Sequence, residues 1–390
     1  MRFSADFPRI ALFLGGCAAF LNLYSTQGLL TELTRAFAVT LRQASWSITV
    51  TILVVALTAP FVGWLTARGE QHRVIAGAAL LLALPALLAA WAGSFGEFLL
   101  WRSVQGLFIP MVFATSVAYI GVRWQGGAVT EMTSVYVAGT IFGGFCGRFL
   151  TGLVTELADW RVALTVQAGL SLAVALGIAL LLPRNPPAAR REPLALGELA
   201  SRPLLGAYAV GFCVLFAQVA TFTYVGLHLS EAPFALGTAA LGAIYAVFLL
   251  ALVVVPLAGR LSKARPHADL VRVAGYLGIA GSALTLSPSL WLIVLGLALS
   301  STGVFLAQAA ANAFITAQAP RQKSAAVGLY LSCYYLGGSF GAFVPGGLWE
   351  RWGWGGCVAL IVVFQLLPLL IARGSWRVAP VRGPAVQPLQ

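Results

Sequence analysis

The chain has 390 residues, of which 59% are hydrophobic and only 9% are charged. A domain that folds in water carries about a quarter charged residues, so this composition excludes a soluble globular protein and makes lipid the solvent. Its 24 Lys and Arg against 12 Asp and Glu give a net charge of +12. These charges lie between apolar runs and form no basic patch, which excludes nucleic acid as a partner and suits anionic lipid headgroups.

A hydrocarbon core about 30 Å thick needs roughly 20 apolar residues per helix. The first six predicted spans cover residues 10–30, 45–65, 74–93, 98–120, 129–154 and 162–182. The first run is helix-length and lacks a small-residue cleavage site, so it reads as a span and not as a removable signal. Residues 183–203 (PRNPPAARREPLALGELASRP) are Pro-rich and basic, cannot cross a membrane, and form a linker. Six more spans follow at 204–227, 238–258, 270–287, 290–313, 324–348 and 356–372. The predicted fold is therefore an all-α polytopic membrane protein of twelve transmembrane helices. A six-helix bundle covers 1–182, the linker 183–203, a second bundle 204–373 and a tail 374–390.

With a cytoplasmic N-terminus, 18 of the 24 basic residues fall on cytoplasmic segments, four on external loops (Arg35, Arg42, Arg161, Arg351) and two inside spans (Arg102, Arg148). That asymmetry places both termini and the linker on the cytoplasmic side.

The two halves are related in sequence. An offset of 194 carries Tyr136, Gly143, Gly144, Gly147, Gly152 and Trp160 onto Tyr330, Gly337, Gly338, Gly341, Gly346 and Trp354. An offset of 196 carries Pro60, Gly63 and Leu65 onto Pro256, Gly259 and Leu261. Two like bundles in one orientation are a parallel repeat about the membrane normal. Within it, Gly139, Gly143 and Gly147, echoed by Gly337 and Gly341, leave a smooth helix face. Such a face serves static close packing, or a seam along which spans five and eleven rock against the opposite half.

Five scattered cysteines suggest buried free thiols, and His72, His228 and His267 form no metal pattern. No metal or cofactor is expected, and no Gly-Lys-Ser/Thr loop points to nucleotide hydrolysis. All twelve carboxylates fall in loops or near span ends, Glu32 and Glu131 being nearest to a proton-coupling position. Arg102 and Arg148 lie a few residues inside the predicted external ends of spans four and five, where a charge costs ~2.5–3.5 kcal/mol and marks a functional site or an arginine reaching for the interface.

Several short patterns carry a family resemblance. Gly63, Leu65 and Arg68, followed by His72 and Arg73, match the loop motif G-x-L-x-D-R-x-G-R-R, with Ala67 at the acidic position. Arg102, Gln105 and Gly106 match R-x-x-Q-G in span four. Gly139 and Gly143 match the span-five antiporter motif, with Gly144 in place of its proline. The chain resembles the major facilitator superfamily, and within it the bacterial drug and sugar efflux branch.

The resemblance implies alternating access in a bacterial inner membrane, a monomer acting on a small-molecule substrate, and exchange for protons. It also implies a cavity lined by spans one, four, seven and ten. Polar and aromatic residues on or near those spans are the candidate lining: Asn22, Ser25, Arg102, Gln105, Gln218, Thr221, Tyr224, Gln308, Asn312 and Tyr334. Gly63, Arg68, Arg73, Gly139, Gly143, Gly147, Arg148, Gly337 and Gly341 are expected to act in conformational change, and Glu32 and Glu131 in proton coupling. Efflux of a small organic solute is the leading expectation. A facilitator or exchanger of an organic anion held by Arg102 is the first alternative, a polytopic membrane sensor the second, and no enzyme is expected. On this basis Arg102→Ala is expected to stop transport in a protein that still folds.

Overall fold

The computed structural model of the protein describes residues 6–62, 70–184, 199–319 and 322–376, and these contain helices and no strand. The predicted motif positions Gly63 and Arg68, most of the linker and most of the C-terminal tail lie outside the described residues. Twelve helical segments make the body. In the first half they are α1 (Asp6–Leu23), α2 (Leu41–Phe61), α3 (Gln71–Ala90), α4 (Phe95–Arg123), α5 (Gly127–Leu157) and α6 (Trp160–Leu181). In the second they are α7 (Arg202–Ser230), α8 (Thr238–Ser262), α9 (His267–Leu284), α10 (Leu290–Gln318), α11 (Lys323–Phe343) and α12 (Pro345–Ser375).

Ten of the twelve are long and apolar enough to cross a membrane. The two that fall short are α9 and α11. His267, Asp269 and Arg272 dilute the start of α9, and Tyr330, Tyr334 and Tyr335 with several glycines lower the hydropathy of α11. Both are held by packing: α9 lies against α10 and α12, and α11 lies between α7 and α2.

Helix starts follow local chemistry. Ser94 Oγ accepts from the Glu97 amide at the head of α4. The Asp159 carboxylate accepts from the amides of Arg161 and Val162 at 2.7 and 2.9 Å at the head of α6. Thr40 and Gln43 form a reciprocal capping box before α2. In each case a side chain satisfies amides that the helix itself leaves open.

Three boundaries differ from the sequence expectation. The first span, predicted to 30, ends at Leu23; residues 24–28 form a buried turn, and Leu30–Phe37 is a short separate helix. The eleventh span, predicted to 348, ends at Phe343. Residues from Pro345 onward belong to α12, which is broken at Gly353, where φ is 56°. Pro345 cannot donate to the helix before it, and Gly353 takes a left-handed conformation that side chains disfavour.

The halves are built alike. Helix α1 packs on α5, α6 and α4 as α7 packs on α11, α12 and α10; α3 packs on α4 and α6 as α9 packs on α10 and α12. The main contacts between halves are α2 against α11 and α5 against α8. These two interfaces are themselves copies. Trp46 of α2 meets Phe343 of α11 at 5.0 Å between ring centroids, and Gly242 of α8 lies against Phe149 of α5. An offset of 196 relates Trp46 to Gly242, and 194 relates Phe149 to Phe343.

The glycine ladder does not form the seam between halves. A Cβ on Gly139, Gly143 or Gly147 would strike the backbone of Phe13, Cys17 or Leu21 in α1. One on Gly337 or Gly341 would strike the backbone of Phe212 or Phe216 in α7. The ladders therefore lock α5 to α1 and α11 to α7 inside each bundle, where close van der Waals approach replaces a hydrophobic drive that lipid does not supply. The expectation of a rocking surface at these residues is corrected accordingly. Close approach between the halves uses Gly152, which abuts the Thr238 backbone, and Gly242.

Candidate functional site

Arg102 and Arg148 are the buried charged side chains among the described residues, 1% and 4% exposed, and neither snorkels to the surface. Their surroundings differ. Arg102 lies inside the first bundle. Its Nε donates to Ser47 O at 3.1 Å, Nη1 to Asn22 O at 3.0 Å and to Gln105 Oε1, and Nη2 to Leu23 O at 3.0 Å; Ser25 Oγ is 3.4 Å from Nη1. Asn22 and Leu23 are the last residues of α1, so their carbonyls lack amides from a further turn. The guanidinium supplies those donors and puts positive charge at the negative end of the helix.

The predicted cavity residues Asn22, Ser25, Arg102 and Gln105 are thus brought together, as one hydrogen-bonded cluster. Asn22 points to α6, where its amide donates to Ser171 Oγ at 2.9 Å and its Oδ1 accepts from Gln167 Nε2 at 3.1 Å. Tyr224 donates to Ala342 O at 2.8 Å inside the second bundle. Thr221 is buried with no partner for its hydroxyl. Gln218, Gln308 and Asn312 are half-buried, and no hydrogen bond to a described residue satisfies their amides. Tyr334 lies between Tyr330, tilted at 5.8 Å between centroids, and Tyr335, edge-on at 5.5 Å. Tyr335 in turn meets Phe113 of α4 across the interface at 5.7 Å.

Arg148 sits where the two halves meet. Its Nε donates to Gln27 Oε1 at 2.8 Å and its Nη1 to Gly144 O at 2.6 Å. Three rings surround the guanidinium: Tyr24 at 4.3 Å, Tyr245 at 4.9 Å and Phe248 at 5.0 Å. Tyr24 and Gln27 come from the turn after α1, Tyr245 and Phe248 from α8. Gln27 Nε2 donates to Thr223 Oγ1 of α7 at 2.9 Å. These two residues are exactly one repeat apart, 196 positions, so they meet on the pseudo-twofold axis.

Sequence reasoning placed Arg148 among the conformational residues, read Gln27 and Tyr245 only as general cavity lining, and left Tyr24, Thr223 and Phe248 out of the site. The repeat offset was the signal that could have paired Gln27 with Thr223.

Further contacts close the same end of the interface, the end predicted to be external. Ser339 Oγ donates to Thr49 O at 3.2 Å. Arg42 lies 4.9 Å from the Phe343 ring. Thr238 Oγ1 donates to Gly152 O at 2.9 Å, and the Glu156 carboxylate accepts from the Ala239 amide at 2.8 Å. Glu156 of one half thus caps α8 of the other. Every hydrogen bond between the halves among the described residues lies at this end.

The remaining candidates lie apart. Glu32 pairs with Arg35 at 3.1 Å on the short helix Leu30–Phe37, and Glu131 pairs with Arg9 near the helix starts. Arg73 is exposed and pairs with Glu70 at 3.2 Å. Gly139, Gly143, Gly147, Gly337 and Gly341 lie in the intra-bundle seams described above.

The description of the Major Facilitator Superfamily matches residues 12–342. The inner membrane transport protein YnfM of Escherichia coli (strain K12) is 30% identical over 93% of this chain and 88% of its own. An uncharacterized MFS-type transporter, YybF of Bacillus subtilis (strain 168), is 27% identical over 93% of this chain and 91% of its own. Among solved structures, a bacterial homologue of the human lysosomal transporter Spinster, in an inward-facing and unoccupied conformation, superposes with a TM-score of 0.77. It shares 15% identity and covers 97% of this chain and 100% of its own, a likeness of fold.

Proposed function

The chain belongs to the major facilitator superfamily and is a multi-pass membrane transporter, and from that premise we propose that it exports a small organic solute by alternating access, in exchange for protons. The observation that supports alternating access most directly is the division of contacts. Within each bundle, glycine seams bring backbones together and fix the helices. Between bundles, hydrogen bonds gather at one end, so that end can part while each bundle stays intact. Rigid halves rocking about a central site are the expected motion of such a repeat.

With both termini cytoplasmic, the closed end is the external one and the arrangement faces the cytoplasm. The half-buried amides of Gln218, Gln308 and Asn312, with the tyrosines of α11, supply a hydrogen-bonding and aromatic lining. The resemblance of Gly139 and Gly143 to the span-five antiporter motif supports exchange for protons.

Counterflow of labelled solute into liposomes holding the purified protein tests transport, and an imposed proton gradient tests coupling. Uphill flux that follows the gradient is expected. Flux indifferent to the gradient removes the proton exchange and leaves a facilitator, and absence of counterflow removes transport. A second reading, an organic-anion exchanger, is favoured by one observation: the buried charges among the described residues are both cationic.

A further inference from the structure

The two buried arginines spend their donors differently. All three nitrogens of Arg102 donate to acceptors of the first bundle. Arg148 donates through Nε and Nη1 only, and its Nη2 makes no hydrogen bond to any described residue. No carboxylate among the described residues pairs with it. A guanidinium carries five N–H donors in a planar fork, and Arg148 Nη2 is not among the fully buried side-chain atoms left without a partner, so the unbonded edge of the fork reaches accessible space where a ligand can meet it.

The surroundings indicate what that would be. Tyr24, Tyr245 and Phe248 flank the guanidinium and attract it through their ring faces. They provide no negative charge. Two of the three rings belong to the opposite half, so separation of the halves at this end would strip them from Arg148. A ligand bringing one negative charge and a planar pair of oxygens would match the free edge of the fork, and an apolar or aromatic body would suit the rings. One unpaired guanidinium balances a monoanion; a phosphate ester would bring more charge than the site neutralises. Gln27 orients the group by accepting from Nε, and its bond to Thr223 ties that orientation to the second half.

We propose that Arg148 is the recognition point for the carboxylate of the transported solute, and that the solute class is small organic monocarboxylates with an aromatic or apolar body. This rests on the transporter reading and deepens it. The role differs from the one expected for Arg102, whose donors are already engaged.

The test is binding by the purified full-length protein in nanodiscs, measured calorimetrically with benzoate, phenylacetate and 4-hydroxybenzoate, each against its uncharged amide. The acids are expected to bind at least about tenfold more tightly than their amides, as a charge-assisted bidentate contact requires. Arg148→Gln should erase that preference, weakening the acids by at least about tenfold more than their amides. Arg148→Lys keeps the buried charge, so it guards against loss of fold; it should weaken the acids by about tenfold, because an ammonium lacks the planar fork.

A panel in which no acid outbinds its amide overturns the proposal, and so does a preference that survives Arg148→Gln or is undiminished in Arg148→Lys. Counterflow in liposomes reads the transporter premise separately. Acid-selective binding without counterflow removes the premise and spares the Arg148 assignment. Counterflow without acid selectivity does the reverse.

Discussion

Arg102→Ala is the substitution for which the structure changes the expectation most. In sequence it looks like a cavity residue whose loss would stop transport in a folded protein. In the structure it closes the end of α1 and ties that end to α2 and α4. Truncation removes the only described donor to Leu23 O and to Gln105 Oε1; Asn22 O keeps Ser25 Oγ at 3.2 Å. Each buried acceptor left without a partner costs about 1–3 kcal/mol, so the pair gives roughly 2–6 kcal/mol before any cavity is counted. The melting temperature of detergent-purified protein should fall by about 5 °C or more, on the low side of what that energy implies for a large domain. Arg102→Lys, which can still donate to some of these carbonyls, should recover part of the loss. A variant Arg102→Ala that melts within about a degree of the parent yet does not transport would refute the clamp and return Arg102 to the substrate pathway.

Glu156→Gln should weaken the cross-half cap on α8. Because the carboxylate is exposed, the cost is set at about 0.5–1 kcal/mol, a two- to fivefold shift toward separation of that end. Spin labels at Arg35 and Glu231 would read it as a larger fraction of long distances, and an unchanged distribution would remove the cap from the closure. Gly143→Val should break the contact of α5 with Cys17 in α1 and reduce folded yield in the membrane, measured by fluorescence-detected gel filtration. Normal yield would mean that the seam tolerates side chains. Gly242→Ala, facing Phe149 across the halves at 3.1 Å or more, should leave the melting temperature nearly unchanged and alter the spin-label distances. A stability loss like that of Gly143→Val would place this glycine inside a rigid unit. Gln167→Leu should lower the melting temperature by unpairing Leu21 O, by ~1–3 kcal/mol, while Asn22 Oδ1 keeps Ser171 Oγ at 3.3 Å; a neutral result would mean that removing the unpartnered Gln167 Oε1 offsets the loss.

The architecture was legible in the sequence because lipid imposes a simple rule: each crossing needs a long apolar run, and the repeat offset showed that the runs come in two sets. The interior was less legible. A four-residue glycine spacing says that a helix face is smooth, but not which helix lies on it. Gly139 and Gly152 sit on the same helix and face different partners, α1 and α8. Arg102 and Arg148 look equivalent as charges inside spans. What separates them is the end of α1, and no proline or glycine directly follows Leu23 to announce it, Gly28 lying at the far end of the turn. The donors that satisfy this end come from Arg102 on α4, far away in sequence, a tertiary contact. Asn22 shows the same limit: its position is one of a symmetric pair with Gln218, yet its amide is used inside the first bundle while that of Gln218 is not.

The turn at residues 24–28 has a consequence for how such a protein could diversify. Its buried backbone is neither helix nor surface loop, and Gln27 N, Leu29 N and Thr151 Oγ1 donate to the carbonyls of Tyr24, Thr26 and Ser25, the kind of satisfaction under which irregular chain is tolerated in a membrane protein. Tyr24 and Gln27, which reach Arg148 and Thr223, therefore hang on a short hinge of chain and not on a face that must also pack a neighbouring helix. On the proposed role of Arg148, changes there would retune what the site accepts without touching Gly139, Gly143 or Gly147, so solute preference and helix assembly would be inherited on separate residues.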